Sequence, residues 1–85
     1  NASHFPNLFS PLQLGDLTVK NRIVSTGHET HLNECGQIGE AMIAYHEARA
    51  KGGAGLIVIE VALAHASGVF VAHPIRIDSD DCIPG

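Results

Sequence analysis

The sequence predicts an α/β fold organised around parallel strands, and three stretches carry the prediction. The run "GLIVIEV" at 55–61 is apolar except for Glu60 and rich in β-branched residues. A strand buried on both faces reads this way, which is the habit of parallel sheets. Ahead of it, apolar residues recur at Ile38, Ala41, Met42, Tyr45 and Ala48, the i, i+3, i+4, i+7 spacing of one helical face. Ahead of that, "NRIVSTG" sets the β-branched Ile23 and Val24 before Gly27, the mark of a short strand. Strand, helix and strand in that order make a βαβ unit, whose crossover is right-handed.

In chain order, the first element is a hairpin over residues 12–19. The triplets Leu12-Gln13-Leu14 and Leu17-Thr18-Val19 flank Gly15-Asp16, and Gly supplies the positive φ that a two-residue hairpin turn demands. The strand at 23–27 follows. The helix spans 38–51: Glu47 and Lys51 stand four apart in the favourable order, and Arg49 and Lys51 bring positive charge to the last turn. Gly52-Gly53 then stops it. Ile38, Met42 and Tyr45 form the core face of this helix rather than a stripe for a ligand. The second strand covers 56–61. Residues 65–77 have mixed polarity and no period, and His65 and His73 are ordinary loop residues there. "SDDCIPG" opens a second helix, with Ser79 as N-cap and Asp80 and Asp81 in the first turn. Two strands, one crossover helix and the start of another leave both faces and both edges of the strand pair uncovered. Residues 1–85 therefore read as one N-terminal portion of a larger α/β domain.

Composition narrows the function classes. Hydrophobic residues make up 45 % of the 85, which excludes a disordered chain, and charged residues only 16 %. A domain of this size alone buries roughly 60–65 % of the surface its unfolded chain exposes, so it is marginal without more chain, a cofactor or a partner. The formal net charge is −4, and the five basic residues are scattered. Nucleic acid and anionic membrane surfaces are thereby disfavoured, because both need clustered Lys and Arg. The longest apolar run, "AGLIVIEVALA", is shorter than the roughly 20 residues of a membrane span and contains Glu60. No charged-then-apolar leader is visible. Cys35 and Cys82 are far apart and form no CxxC. A reducing, cytoplasmic compartment is the expectation.

Three motifs invite chemistry. "HETH" looks like the HExxH of zinc proteases but is one residue short, and HExxH works because four-residue spacing on a helix aims both imidazoles one way. Here the segment follows a strand, where His28 and His31 point to opposite sides, and a site built on His28, His31 and Cys35 needs a special loop. No metal is the expectation. "GGAG" at 52–55 comes after a helix and before a strand. A phosphate cradle needs the reverse order, so these glycines serve as a helix stop and a tight connection. Glu60 is a carboxylate near the end of a buried strand. Sites of parallel α/β folds lie at such C-terminal ends, and the sequence leaves its role open between structural partner and functional group.

The stretches "LFSPLQLGDLTVKNRIV", "YHEARAKGGAGLIVIE" and "SDDCIPG" closely resemble the start of the old yellow enzyme family of flavin oxidoreductases. That family includes the ene-reductases, the 2,4-dienoyl-CoA reductases and the trimethylamine dehydrogenase group. The resemblance covers residues 5–85. It implies a (β/α)8 TIM barrel, typically of roughly 250 residues or more. Residues 12–19 become the hairpin at the barrel bottom, 23–27 strand one, 38–51 helix one, 56–61 strand two, and "SDDCIPG" the start of helix two. It further implies FMN at the C-terminal mouth of the barrel, with NAD(P)H as a reductant. The flavin-facing positions are Thr26, Gly27, His28 and Glu29 after strand one, and Val61 after the strand-two glutamate. Small residues suit a place where main chain approaches a planar ring.

The pattern departs from the family at two of these positions. Gly27 replaces the usual Pro, and Glu29 replaces a Thr or Cys. In the trimethylamine dehydrogenase group, which Gly27-His28 matches best, that Cys bonds covalently to the flavin, and Glu29 excludes such a bond at this position. A carboxylate beside a ring that gains negative charge on reduction is electrostatically awkward. Glu29 therefore turns away, is protonated, or faces a cationic group such as an N-methylated amine substrate. The proton donor and substrate-holding residues of the family lie later in such chains, so no catalytic residue is expected here beyond Glu29 as a substrate contact. An iron–sulfur cluster, present in some relatives, would lie outside these residues.

The function expected is therefore an FMN-dependent oxidoreductase that moves hydride between NAD(P)H or substrate and flavin and reduces activated alkenes. An N-methylated amine dehydrogenase or demethylase is the alternative. A small α/β binding module without catalysis is the alternative of another class, and it requires residues 1–85 to fold cooperatively alone. The partners expected are a small-molecule substrate and the remainder of the barrel, with a homo-oligomer left open.

Overall fold

A computed structural model describes residues 3–68 and 74–84. Its first element is the expected hairpin, β1 (Leu12–Leu14) and β2 (Leu17–Val19), antiparallel with Leu12 opposite Val19 and Leu14 opposite Leu17. Gly15 takes φ +60° at the first central position of the turn, the conformation that glycine adopts without steric cost. The Gln13 side chain closes over it, donating to the Gly15 carbonyl at 3.1 Å.

The βαβ unit follows. β3 (Val24–Ser25) and β4 (Leu56–Ile57) pair in parallel, Val24 beside Leu56 and Ser25 beside Ile57, with helix α1 (Glu40–Lys51) between them in sequence. The ladder is shorter than the 23–27 and 56–61 read from the sequence. Its hydrogen bonds reach slightly further, since Val58 N donates to the Ser25 carbonyl at 2.8 Å and Leu56 N to Ile23 at 3.3 Å. Beyond Ser25 and Val58 the two strands make no further ladder bonds with each other among the described residues.

Helix α1 begins two residues later than the 38 expected from its period. Glu34 and Gln37 form an antiparallel bridge across a tight turn in which Cys35 and Gly36 take φ +53° and +84°. That bridge holds the chain extended up to Gln37, and Gly39, extended at φ −119°, becomes the N-cap. Glycine there offers no side-chain oxygen to the free N–H groups, and the cap makes no side-chain bond. The far end is as expected: Gly52 N and Gly53 N bond to Ala48 and Ala50, and Gly53 adopts φ +111°. Lys51 and Glu47 pair at 2.5 Å on the exposed surface.

The buried line of the helix is narrower than the sequence period implies. Met42 is only 1 % exposed, but Ala41 and Ala48 face outward and Ile38 and Tyr45 are half-buried. Tyr45 is covered by Arg49, whose guanidinium carbon lies 3.4 Å from the ring centroid. The reason is that, among the described residues, α1 packs chiefly against β4. An apolar groove remains between helix and strand, lined by Ile38, Met42, Ile43, His46, Ile57 and Ile59. Both ring nitrogens of His46 are shielded there and have no hydrogen-bond partner among the described residues. The doubly buried strand read from "GLIVIEV" is likewise open within this chain, with Val58 47 % and Ile59 53 % exposed.

After β4 the chain forms β5 (Ala62–Leu63), which pairs in parallel with β6 (Ile75–Arg76), Ala62 beside Ile75. A 3-10 turn at Ala66–Gly68 stands between them, where His65 Nδ1 meets Ser67 Oγ at 2.9 Å. Within 65–77, where the sequence shows no period, β6 is a strand of two residues; His65 lies outside any strand, and His73 lies outside the described residues. The expected start of a second helix is a single 3-10 turn, Asp80–Cys82. Ser79 stands at its N-cap in the expected extended conformation but makes no side-chain cap bond. The β3–α1 loop is tied to this region by the Arg76 N–H to the Gly36 carbonyl at 2.9 Å and by Gln37 to Asp81 at 3.2 Å. No helix among the described residues is long and apolar enough to cross a membrane.

Candidate functional site

The two ends of the β3–β4 pair are each fastened by one buried polar residue, and these two, Asn21 and Glu60, are the buried polar residues among those described. At the end where the strands begin, Asn21 donates from Nδ2 to the Gly53 carbonyl at 2.7 Å and accepts at Oδ1 from Ile23 N at 3.0 Å. Its amide thus ties the entry of strand one to the helix–strand connection, and Gly55 leaves it room: a Cβ there would sit 2.8 Å from the Asn21 carbonyl oxygen. The neighbouring Arg22 holds the preceding loop, bonding Ser10 Oγ at 3.1 Å. The "KNRIV" stretch is accordingly a structural clasp.

At the C-terminal ends of the strands, the turn 26–29 emerges from β3. Thr26, Gly27, His28 and Glu29 are all exposed, and so is Val61 beyond β4. Gly27 lies against the extension of β4, where a Cβ would stand 3.2 Å from the Ile59 carbonyl oxygen and 3.8 Å from Glu60 Cα. The turn and the residue preceding Val61 are therefore neighbours. No hydrogen bond or ion pair engages the side chains of His28 or Glu29 among the described residues.

The chain then passes to Thr30, which reaches back under the turn. Thr30 Oγ1 donates to Glu60 Oε1 at 2.6 Å, and Thr30 N lies 3.4 Å from Oε2. Leu32 N donates in turn to Thr30 Oγ1 at 3.3 Å, and Met42 Sδ is 3.9 Å from the same hydroxyl. Glu60, left open by the sequence between structural and functional roles, has a defined partner. Thr30 is the residue the sequence reading passed over. Its signal was faint: a lone hydroxyl after the turn, thirty positions from the one carboxylate in an apolar strand.

The rival arrangement fares differently. His28, His31 and Cys35 are not drawn together, and among the described residues no group of three His, Cys, Asp or Glu side chains is placed to hold a metal ion. His31 takes φ +57° in the loop after Thr30. Cys35 is exposed in the 34–37 turn, with its thiol free.

The exposed segment after β3 lies beside a second strand end, at the C-terminal side of a parallel pair, the place where parallel α/β folds hold their ligands. Residues 7–85 match the NADH:flavin oxidoreductase / NADH oxidase family, and the chain belongs to that family. Among curated proteins it is 44 % identical over 85 residues to an NADH oxidase of Thermoanaerobacter brockii, covering 98 % of this chain and 13 % of that protein. It is 46 % identical over 55 residues to an N,N-dimethylglycine/sarcosine dehydrogenase of Chromohalobacter salexigens, covering 64 % of this chain and 8 % of the other. An NADPH dehydrogenase of Bacillus subtilis is 32 % identical over 81 residues, covering 92 % of this chain and 24 % of that one. The chain thus spans a quarter or less of the length of these relatives. The family implies a TIM barrel, and the parallel pair with its crossover helix is a part of such an architecture.

At residues 26–29 main chain is open to a ligand at the strand ends. Gly27 brings main chain to the strand end without a side chain, and nothing described covers Thr26, His28 or Val61. Neither Lys nor Arg stands among Thr26, Gly27, His28, Glu29 and Val61.

Proposed function

We propose that these 85 residues are the N-terminal portion of an FMN-binding (β/α)8 barrel in an oxidoreductase. The reading rests on the exposed turn 26–29 set against the end of β4, in a member of a family whose relatives are named NADH oxidase and NADPH dehydrogenase. In this reading Thr26, Gly27, His28, Glu29 and Val61 line one side of the isoalloxazine. FMN when bound supplies a hydride acceptor and donor, with NAD(P)H as reductant and activated alkenes, such as enoyl and 2,4-dienoyl compounds, as oxidants. The chain's own part is to present main chain and small side chains to the ring plane and to keep bulk away from it. The open groove along α1 and the exposed Val58 and Ile59 support the remainder of the barrel as the partner of these residues. Two free thiols agree with a cytoplasmic setting. Purified full-length protein should carry a flavin spectrum that bleaches with NADH or NADPH and returns with an enoyl substrate. A colourless protein that takes up no FMN overturns the reading.

A second reading concerns the substrate. Glu29 is exposed beside the turn and has no partner among the described residues, and one relative is named as a dehydrogenase of N-methylated amino acids. A carboxylate there would attract a cationic amine. Replacing Glu29→Gln in the full-length protein should lower kcat/KM for N-methylated amines and spare enoyl compounds. Unchanged kcat/KM for every amine tried removes this reading.

A further inference from the structure

We propose that Glu60 is a positioning residue that sets the flavin-facing turn through Thr30; the inference rests on the FMN reading above. Glu60 is 8 % exposed, at the end of a run of four apolar residues. Burying a carboxylate is costly unless its oxygens are bonded. Here both oxygens are directed at a single residue, with Oε1 taking the Thr30 hydroxyl at 2.6 Å and Oε2 facing Thr30 N at 3.4 Å. The shorter contact has the length of a charge-assisted O–H···O bond, about twice as strong as a neutral one.

Thr30 is the first residue after 26–29, and Gly27 lies close enough to the Ile59–Glu60 backbone that a Cβ there would stand 3.2 Å from the Ile59 carbonyl oxygen. The segment 26–29 therefore runs beside this short piece of chain and is fastened to it at its end by the carboxylate. Leu32 N caps the Thr30 hydroxyl from the other side. The hydroxyl's one hydrogen is spent on Glu60, so it meets Leu32 as an acceptor. Thr30 has no spare donor for a ligand, and its part is to hold the turn. Removing the hydroxyl frees the end of the turn while the carboxylate stays buried. Removing the charge keeps the shape and weakens the grip.

The test uses full-length protein stripped of flavin and titrated with FMN, with Thr30→Val, Thr30→Ser and Glu60→Gln beside the parent. Thr30→Val should raise the Kd for FMN by about tenfold or more, the loss of one hydrogen bond to a charged group. Thr30→Ser, which keeps the hydroxyl, should stay within about twofold of the parent by the same reasoning. Glu60→Gln should weaken FMN binding and also move the flavin midpoint potential to a more positive value, because a carboxylate near the ring opposes added negative charge. Thr30→Val keeps that carboxylate and should shift the potential less. A purely structural role would lower thermal stability and leave the Kd of folded protein and its potential unmoved, and that result overturns the inference. If Thr30→Val does not fold, the Kd and potential of Glu60→Gln decide alone: parent values overturn the inference. A parent that binds FMN while all variants match it sinks this inference only. A parent that binds none sinks the FMN reading and this inference together.

Discussion

The two ends of the β3–β4 pair solve the same problem with different chemistry. Where the strands begin, a neutral amide, Asn21, is bonded to main-chain groups on both strands' approaches, Gly53 and Ile23. Where they end, a carboxylate, Glu60, is bonded to one residue of the neighbouring loop. The amide can both donate and accept, so it closes a seam of backbone completely. The carboxylate only accepts, so it selects a loop that offers donors and gives that loop a fixed position. The beginning of the pair is built for stability and its end for placement. This is the division expected where function sits at C-terminal strand ends.

Substitutions can break this contrast, and the largest effect should come from Gly55→Ala. Its Cβ would fall 2.8 Å from the Asn21 carbonyl oxygen, a main-chain atom that cannot turn aside. A loss of about 3 kcal/mol in full-length protein is expected from such overpacking, read by chemical denaturation. Next is Asn21→Ala, which strands the Gly53 carbonyl and the Ile23 N–H and should cost about 2 kcal/mol. For both, any FMN that stays bound in folded protein should keep the parent midpoint potential. A shift as large as that of Glu60→Gln would abolish the distinction between the two ends.

Gly27→Ala should have a smaller effect on stability, about 1 kcal/mol, because the Ile59 oxygen at 3.2 Å need give way by only a few tenths of an ångström. FMN titration should nevertheless detect it, since the turn is displaced. Equal losses in stability for Gly27→Ala and Gly55→Ala would argue that both ends are clasps of one kind. Smallest of all is Lys51→Ala. Its partner Glu47 and Lys51 itself are 51 % and 76 % exposed, and pairs of this sort contribute under about 0.5 kcal/mol. A larger change in melting would mean that the helix end carries more than its surface suggests.

What was legible in the sequence follows from how local each signal is. The hairpin could be read because Gly15 must supply a positive φ between two short alternating runs. The helix end could be read because Gly52-Gly53 follows a basic last turn. The helix start was placed two residues early because the 34–37 bridge, not the apolar period, decides where helical geometry begins. β5 and β6 were missed because two-residue strands have no period to detect and are joined only by pairing across a dozen positions. The width of the buried face was overread because period tells which side of a helix is apolar, and the neighbours present decide how much of it is covered. At the site, the turn after β3 was legible through its small residues and its likeness to a family. The Thr30–Glu60 contact joins residues thirty apart and leaves no trace in spacing.

The open groove has a practical consequence. Val24, Val58 and Ile59 present apolar surface next to unfilled strand edges. Made as a separate peptide, this length of chain would offer a ready template for edge-to-edge association, the route by which uncovered strands aggregate. On the proposed reading, a longer chain that covers α1 and β4 should stay dispersed where residues 1–85 alone associate, which light scattering at matched concentration would show.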